Sequence, residues 1–210
     1  NNNAMNATAK AYELPLSRLQ KMLAERPDDN WMHQQVNGEW QTLTVAEVLS
    51  QAARFAQALL ALGYEPGDRI AILAKNSPQW MISDFAMMIA GLISVPIYTT
   101  AGEHTLSYVL EHSGAKAVCV GKIDSTDAAE LALSNIPIIA FDCYNLPSLA
   151  ARHQWAELVE QHTEIASIAA PHKDDIATLV YTSGSTGNPK GVVLSYENLA
   201  APGYETAVKL

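Results

Sequence analysis

A loop near residue 185 combines the residue types that bind phosphate. Gly184 and Gly187 lack Cβ, so the backbone can take positive φ values and approach an anion closely. Consecutive N–H groups in such turns form concave anion sites. Hydroxyl donors and one positive charge complete the nine-residue stretch: Thr182, Ser183, Ser185, Thr186 and Lys190. This composition predicts a loop that binds a polyphosphate.

Two other interpretations of the loop are weaker. Ser, Gly, Asn and Pro are common in ordinary surface turns, but four hydroxyls, two glycines and a lysine within nine residues favour a binding role. The Walker A pattern requires Gly, four residues, and then Gly-Lys-Ser/Thr. Asn188 lies four positions after Gly184, and Gly191 follows Lys190, so that pattern fails. The sequence therefore predicts a phosphate loop of another kind.

The elements that must position the loop follow from apolar periodicity and cap residues. An apolar run over Ile176–Tyr181 predicts a buried strand directly before the loop, and a second apolar run follows Lys190. Upstream strands are predicted over Trp31–Val36, Glu39–Leu43, Arg69–Ala74, Ile93–Tyr98, Ala117–Val120 and Ile136–Phe141. The first two flank Asn37-Gly38, a pair typical of a tight hairpin turn.

Helices are predicted between these strands. The first carries Leu16, Leu19 and Leu23 and ends at Pro27, and the second runs from a Thr44–Glu47 capping box to Gly63. The others cover Pro78–Ala90, Glu103–Ser113, a short stretch near Asp127–Leu133, and Ser148–Gln161. The segment Thr163–Lys173 is interpreted as a connecting loop.

The order of these elements predicts the fold class. Continuous apolar strands alternate with helices, which is typical of an α/β fold with a mainly parallel sheet covered by helices on both faces. Ligands of such sheets bind beyond the carboxyl ends of the strands. The loop after Ile176–Tyr181 lies at such an end, so the fold and the loop composition indicate the same site.

Composition narrows the class of protein. The net charge of −9 over 210 residues disfavours nucleic acid as a partner. The longest apolar run, Phe85–Tyr98, is too short to span a bilayer. No signal peptide is recognised, and Cys119 and Cys143 are interpreted as buried free thiols in a reducing cytoplasm. Asn1 to Ala4 are interpreted as a vector remnant, which would also make Leu210 a cloning boundary.

Other residues that could do chemistry have simpler interpretations. His104 and His112 lie eight residues apart on one predicted helix, and His153 and His162 bracket another. None of these pairs has metal-ligand spacing, so we expect surface or core histidines and no metal ligand. Ser183 lacks the Gly-x-Ser-x-Gly context of a nucleophile elbow.

The loop and its flanks resemble a known family. Tyr181-Thr182-Ser183-Gly184-Ser185-Thr186-Gly187-Asn188-Pro189-Lys190-Gly191-Val192 is similar to the phosphate-loop signature of the adenylate-forming (AMP-binding) superfamily, which includes acyl-CoA synthetases. The order of upstream elements fits the N-terminal part of that family. The resemblance implies that residues 5–210 are a partial AMP-binding domain, with the phosphate loop at 181–191 and the rest of the enzyme absent.

The resemblance also implies a reaction. A carboxylate attacks the α-phosphate of ATP, with Mg²⁺, and CoA then displaces AMP from the acyl-adenylate. It assigns Lys190 a catalytic charge role, donor roles to Thr182, Ser183, Ser185 and Thr186, and backbone roles to Gly184 and Gly187. The family's acidic Mg²⁺ residue, ribose-binding aspartate, hinge and C-terminal lysine would lie beyond Leu210.

The substrate remains open at this point. Val95-Pro96-Ile97-Tyr98 with Thr99-Thr100 resembles long-chain acyl-CoA synthetases and favours a long-chain fatty acid. The alternatives are an aryl or amino acid as substrate, or a non-catalytic nucleotide-binding module. The expected partner is a small carboxylate, and the oligomeric state is left open. One position departs from the family pattern: Tyr196 stands where a histidine is usual, and a tyrosine does not titrate near neutrality.

Overall fold

The computed structural model describes residues 13–124, 126–141, 149–168, 170–183 and 187–201. The helices are α1 (Pro15–Glu25), α2 (Val45–Ala61), α3 (Pro78–Ala90), α4 (Glu103–Ser113), α5 (Thr126–Ala132), α6 (Trp155–Gln161) and α7 (Tyr196–Ala200). The strands are β1 (Asn30–Val36), β2 (Glu39–Thr44), β3 (Arg69–Leu73), β4 (Ile93–Ile97), β5 (Ala117–Val120), β6 (Ile138–Ala140), β7 (His153–Gln154), β8 (Ile176–Thr182) and β9 (Lys190–Ser195).

A mainly parallel sheet organises the described chain, which confirms the predicted fold class. Its seven strands lie in the order β7-β6-β5-β3-β4-β8-β9, and only the edge strand β9 runs antiparallel to its neighbour. The strands β1 and β2 form a separate antiparallel hairpin. Its turn residues Asn37 and Gly38 have φ values of +52° and +84°, as the predicted hairpin turn requires.

Cap residues set several helix ends where the sequence predicts them. The Thr44 hydroxyl accepts a hydrogen bond from the Glu47 backbone N–H, and the Glu47 carboxylate accepts one from the Thr44 N–H. Ser77 caps α3 through the Trp80 N–H. Gly114 ends α4 with φ of +65°, in the left-handed region that favours glycine. Local chemistry therefore fixes the bounds of these helices.

The predicted helix over Ser148–Gln161 is wrong in its first half. Ser148 lies outside the described residues, and α6 begins only at Trp155. Before it, His153 and Gln154 form β7, which pairs in parallel with Ile139 and Ala140 of β6. The sheet edge thus offers the backbone of this segment hydrogen bonds that a helical turn would forfeit, and the apolar periodicity does not reveal this.

Both faces of the sheet are covered. One face packs against α1, α2, α3 and α6, and its strand residues include Ile70, Ile72 and Cys119. The other face packs against α4 and α5, with Leu73 and Val95 among its strand residues. Alternation along β3, Ile70 and Ile72 against Ala71 and Leu73, matches the two-residue period of a strand buried on both sides.

Two findings bear on the predictions from composition. No helix in the described ranges is long and apolar enough to cross a membrane. Cys119 is a free, fully buried thiol, and burial raises its pKa to about 12, so it is not a reactive thiolate. Cys143 lies outside the described residues.

Candidate phosphate-binding site

The β8–β9 hairpin carries the predicted loop at the carboxyl ends of the parallel strands. Thr182, the last residue of β8, pairs directly with Lys190, the first residue of β9. Directly opposed residues of an antiparallel pair project to the same face, about 5 Å apart at Cβ. Both residues are exposed. The structure therefore brings one predicted hydroxyl and the predicted lysine side by side.

The other predicted loop residues divide into two groups. Ser183 and Gly187 are described and exposed, whereas Gly184, Ser185 and Thr186 lie outside the described residues. Gly187 has φ of +107°, and a Cβ built there would meet nothing within 4 Å. The backbone conformation at Gly187, rather than its packing, therefore calls for glycine.

The base of the hairpin is held by aromatic packing. The Tyr181 hydroxyl lies 2.8 Å from Nδ1 of His112 on α4, and the two rings meet edge to face. A Cβ on Gly191, the cross-strand partner of Tyr181, would lie 3.2 Å from the Tyr181 ring. The absence of a side chain at residue 191 thus leaves room for the tyrosine that precedes Thr182.

A second histidine of α4 contacts the loop. His104 Nε2 lies 3.1 Å from Asn188 Oδ1, across 84 residues of sequence. The sequence indicates only that neither histidine has metal-ligand spacing, which gives no sign that both face this hairpin. The sequence feature that could have indicated these contacts is the position of both histidines on α4, the helix that follows β4, which lies beside β8.

Three further loops meet at the same edge of the sheet. The Lys75 Nζ lies 2.6 Å from one carboxylate oxygen of Asp124, and the Thr99 hydroxyl donates to the other at 2.7 Å. The hydrogen bonds from Lys75 and Thr99 lower the pKa of Asp124. These residues follow β3, β4 and β5. The contacts of Asp124 with Lys75 and Thr99 therefore connect the loops that follow β3, β4 and β5. Of these strands, β4 lies beside β8, which carries the phosphate loop.

The connections at this edge form a topological switch point. The chain leaves β3 into α3 on one face of the sheet and leaves β4 into α4 on the other face. Where adjacent parallel strands send their connections to opposite faces, a crevice opens outside their carboxyl ends, and ligands of open α/β sheets bind there. The phosphate loop follows β8, which lies beside β4.

A polar cluster lies inside the molecule beneath the hairpin. The Ser94 hydroxyl donates to Thr178 Oγ1 at 3.0 Å, and the Thr178 hydroxyl donates to the Ser94 carbonyl at 2.9 Å. Asp84 of α3 lies near the same cluster, and burial raises its pKa to about 6. No described contact connects Ser94, Thr178 or Asp84 with the loop.

Tyr196 is a buried residue that lies far from the loop. It starts α7, and its backbone N–H donates to the Asp175 carbonyl beside the first residue of β8. The side chain is 2% exposed and packs against Ala177 and Leu199, and burial raises its pKa. Residue 196 therefore lies near the amino end of β8, at the end of the sheet opposite the phosphate loop.

A groove of about 910 Å³ also lies at that opposite end of the sheet. It is lined by apolar side chains from α2, α3 and the amino ends of β4 and β8, among them Leu60, Met88, Ile93 and Ile176. The groove contains none of the predicted phosphate-binding residues. The described residues predicted to bind phosphate therefore lie at the hairpin and not in this groove.

Comparison with known proteins identifies the family to which the chain is similar. The sequence profile of the family described as AMP-binding enzyme matches residues 19–209. The chain is 37% identical to the long-chain-fatty-acid–CoA ligase FadD15 of Mycobacterium bovis, over 83% of this chain and 30% of that protein. The chain thus spans about 30% of the length of this curated relative.

Two solved structures share the fold. A benzoate CoA ligase from Burkholderia xenovorans is 25% identical with a TM-score of 0.73, over 89% of this chain and 35% of that one. The O-succinylbenzoate coenzyme A synthetase of Bacillus subtilis, solved in complex with AMP, is 26% identical with a TM-score of 0.67, over 94% and 45% of the two chains.

Proposed function

Because the chain belongs to the AMP-binding enzyme family, we propose that its protein activates a carboxylic acid with ATP and transfers the acyl group to CoA. The observation that carries this proposal is the pairing of Thr182 with Lys190 at the mouth of a glycine- and hydroxyl-rich loop. That loop lies at the carboxyl edge of a parallel sheet, where anionic ligands of such folds bind. Residues 5–210 would form the first part of the AMP-binding domain, with the phosphate loop at 181–191.

The first step forms a bond between a carboxylate oxygen and the α-phosphorus of ATP, and breaks the bond to the leaving pyrophosphate. Negative charge grows on the pyrophosphate as it leaves, so preorganised donors stabilise the transition state. We assign the positive charge to Lys190 and hydrogen-bond donation to Thr182, Ser183, Ser185 and Thr186. Gly184 and Gly187 would contribute backbone N–H groups.

The second step forms the thioester. The CoA sulfur attacks the acyl carbon of the adenylate, and the bond to AMP breaks.

Mg²⁺ would enter with the nucleotide, as the MgATP complex. Among the described residues, no group of three or more His, Cys, Asp or Glu side chains could hold a metal ion.

A long-chain fatty acid is the proposed substrate. The support is the relative named as a long-chain-fatty-acid–CoA ligase, together with the stretch from Val95 to Thr100. The neighbour named as a benzoate CoA ligase keeps an aryl acid as the second candidate. A non-catalytic nucleotide-binding module is a candidate of a different class, since only the phosphate-loop side of a site is described.

Thioester formation by the full-length gene product tests the proposal. Incubation with MgATP and a panel of long-chain, aryl and amino acids should yield an acyl-adenylate, and CoA should convert it to acyl-CoA with release of AMP. We expect the long-chain acids to give the highest kcat/KM. A protein that binds MgATP but forms no adenylate with any acid of the panel would support the module instead.

A further inference from the structure

Both ends of helix α4 contact the β8–β9 hairpin, which carries the predicted phosphate loop. His104, in its first turn, reaches Asn188 in the loop at 3.1 Å, and His112, in its last turn, reaches the Tyr181 hydroxyl at 2.8 Å. The two histidines are eight residues apart, or about 12 Å along a helix. The helix itself is fixed to the sheet by buried Leu106, Val109 and Leu110. A rigid element thus holds the hairpin at two points.

The two contacts differ in surroundings. The His112 ring stacks on Tyr108 at 5.2 Å and meets Tyr181 edge to face at 5.8 Å, so it is part of the packing beneath the hairpin. The His104–Asn188 bond is exposed. An exposed hydrogen bond contributes little to global stability, about 1 kcal/mol or less. Its main effect is therefore expected on the loop and not on the fold.

The bond bears directly on the position of Lys190. Only Pro189 separates Asn188 from Lys190, and the proline ring fixes one of the backbone dihedrals between them. On the other side of Asn188, Gly187 has open space around it and contributes no side-chain packing. The backbone of Lys190 is held by its pairing with Thr182, and the hydrogen bond from His104 adds a side-chain contact that fixes Asn188, two residues before Lys190, relative to α4.

We infer that His104 is a positioning residue, which holds Asn188 so that Lys190 is preorganised for the phosphates of ATP. This inference rests on the proposed function. Since Asn188 Oδ1 is an acceptor, the His104 Nε2–H donates. A neutral or a charged imidazole can make this bond, and so can the amide N–H of a glutamine. An alanine cannot.

A double-mutant cycle in the full-length gene product tests the inference. The variants are His104→Ala, Asn188→Ala and the double variant, with His104→Gln as the conservative replacement. Each is assayed for acid-dependent pyrophosphate exchange at varied MgATP and for MgATP affinity at equilibrium. His33→Ala is the matched control, because His33 also makes one exposed side-chain hydrogen bond, to Thr42 on the separate β1–β2 hairpin.

We expect His104→Ala to raise the KM and Kd for MgATP by about 3- to 10-fold, the effect of one hydrogen bond, with little change in KM for the acid. Asn188→Ala should cost about as much, and the double variant no more than either alone, because both remove the same contact. His104→Gln should recover most of the loss. His33→Ala should match the wild type, and thermal midpoints should stay close to the wild type throughout.

Three results would overturn the inference: a His104→Ala variant with unchanged MgATP affinity, single effects that multiply in the double variant, or a His104→Gln variant as impaired as alanine. A wild type that binds MgATP but exchanges pyrophosphate with no acid would refute the proposed reaction instead. In that case the ratio of MgATP dissociation constants still decides the role of His104.

Discussion

Lys190 and Thr182 are direct cross-strand neighbours at the mouth of the loop, and both are exposed. A hydrogen bond to a charged group contributes about 1.5–3 kcal/mol, so removal of either side chain should slow pyrophosphate exchange by about 10- to 100-fold. The measurement is exchange by full-length Lys190→Ala and Thr182→Ala. Lys173→Ala is the control, since Lys173 is an exposed lysine paired with Glu197 at the opposite edge of the sheet. Unchanged exchange in both loop variants would remove the loop from the mechanism.

Asp84 predicts a pH dependence of stability. Burial raises its pKa from 3.8 to about 6, so the folded state binds a proton more tightly than the unfolded state does. Ionisation of Asp84 therefore lowers the free energy of unfolding. This destabilisation is small below about pH 4, grows as the pH rises toward 6, and reaches on the order of 2–3 kcal/mol at neutral pH. Asp84→Asn should therefore be more stable than the wild type at pH 7.5, and by a smaller margin at pH 4.5.

The test is urea unfolding of both proteins across that pH range. Asp28→Asn is the matched control, because Asp28 is exposed. A difference between Asp84→Asn and the wild type that stays constant from pH 4.5 to 7.5 would contradict the raised pKa.

The carboxyl ends of β3 and β5 are closely packed around Gly121. Its backbone N–H donates to the Leu73 carbonyl at 3.1 Å, which joins the end of β5 to the end of β3. A Cβ at this position would lie 2.6 Å from the Phe141 ring and 2.8 Å from Ala74. Gly121→Ala should therefore destabilise the protein by about 1–3 kcal/mol, the usual cost of overpacking.

Gly102 provides the contrast for that substitution. It is the N-cap of α4, and a Cβ there meets nothing within 4 Å. Gly102→Ser adds a larger side chain and a favourable capping group, so its free energy of unfolding should equal or exceed that of the wild type. Chemical denaturation of both variants is the measurement. A Gly121→Ala variant as stable as Gly102→Ser would show that the strand ends relax at no cost.

Element by element, the sequence predicted what local chemistry controls. The capping box of α2 and the glycine end of α4 appear where the residue patterns place them, because their hydrogen bonds join residues only a few positions apart. The start of α6 was not predictable in this way. Residues 153 and 154 pair with β6, and that partner is set by the tertiary fold.

The same distinction holds for the site. The loop residues were recognisable from their types and spacing, and the sheet class from the alternation of apolar runs. The contacts of His104 with Asn188 and of His112 with Tyr181 span 84 and 69 residues, so they depend on which strand lies beside which. That order, with β5 and β8 on opposite sides of the β3–β4 pair, follows from crossover connections that no local pattern encodes.

For the whole molecule, the described chain is built around a parallel sheet covered on both faces, and the proposed function gives it one side of a nucleotide site. It spans about 30% of the length of the curated relative FadD15. Among the described residues β9 is an edge strand of the sheet, and its Val193 is 58% exposed.

Exchange of labelled pyrophosphate into ATP by the full-length gene product distinguishes an adenylate-forming enzyme from a protein that only binds the nucleotide. The first half-reaction is reversible, so an enzyme that forms an acyl-adenylate incorporates label only when its acid is present. We predict exchange that requires an added carboxylic acid and is fastest with a long-chain fatty acid. Absence of exchange with every long-chain, aryl and amino acid tested, in a folded protein that binds MgATP, would contradict the claim that this loop serves adenylate formation.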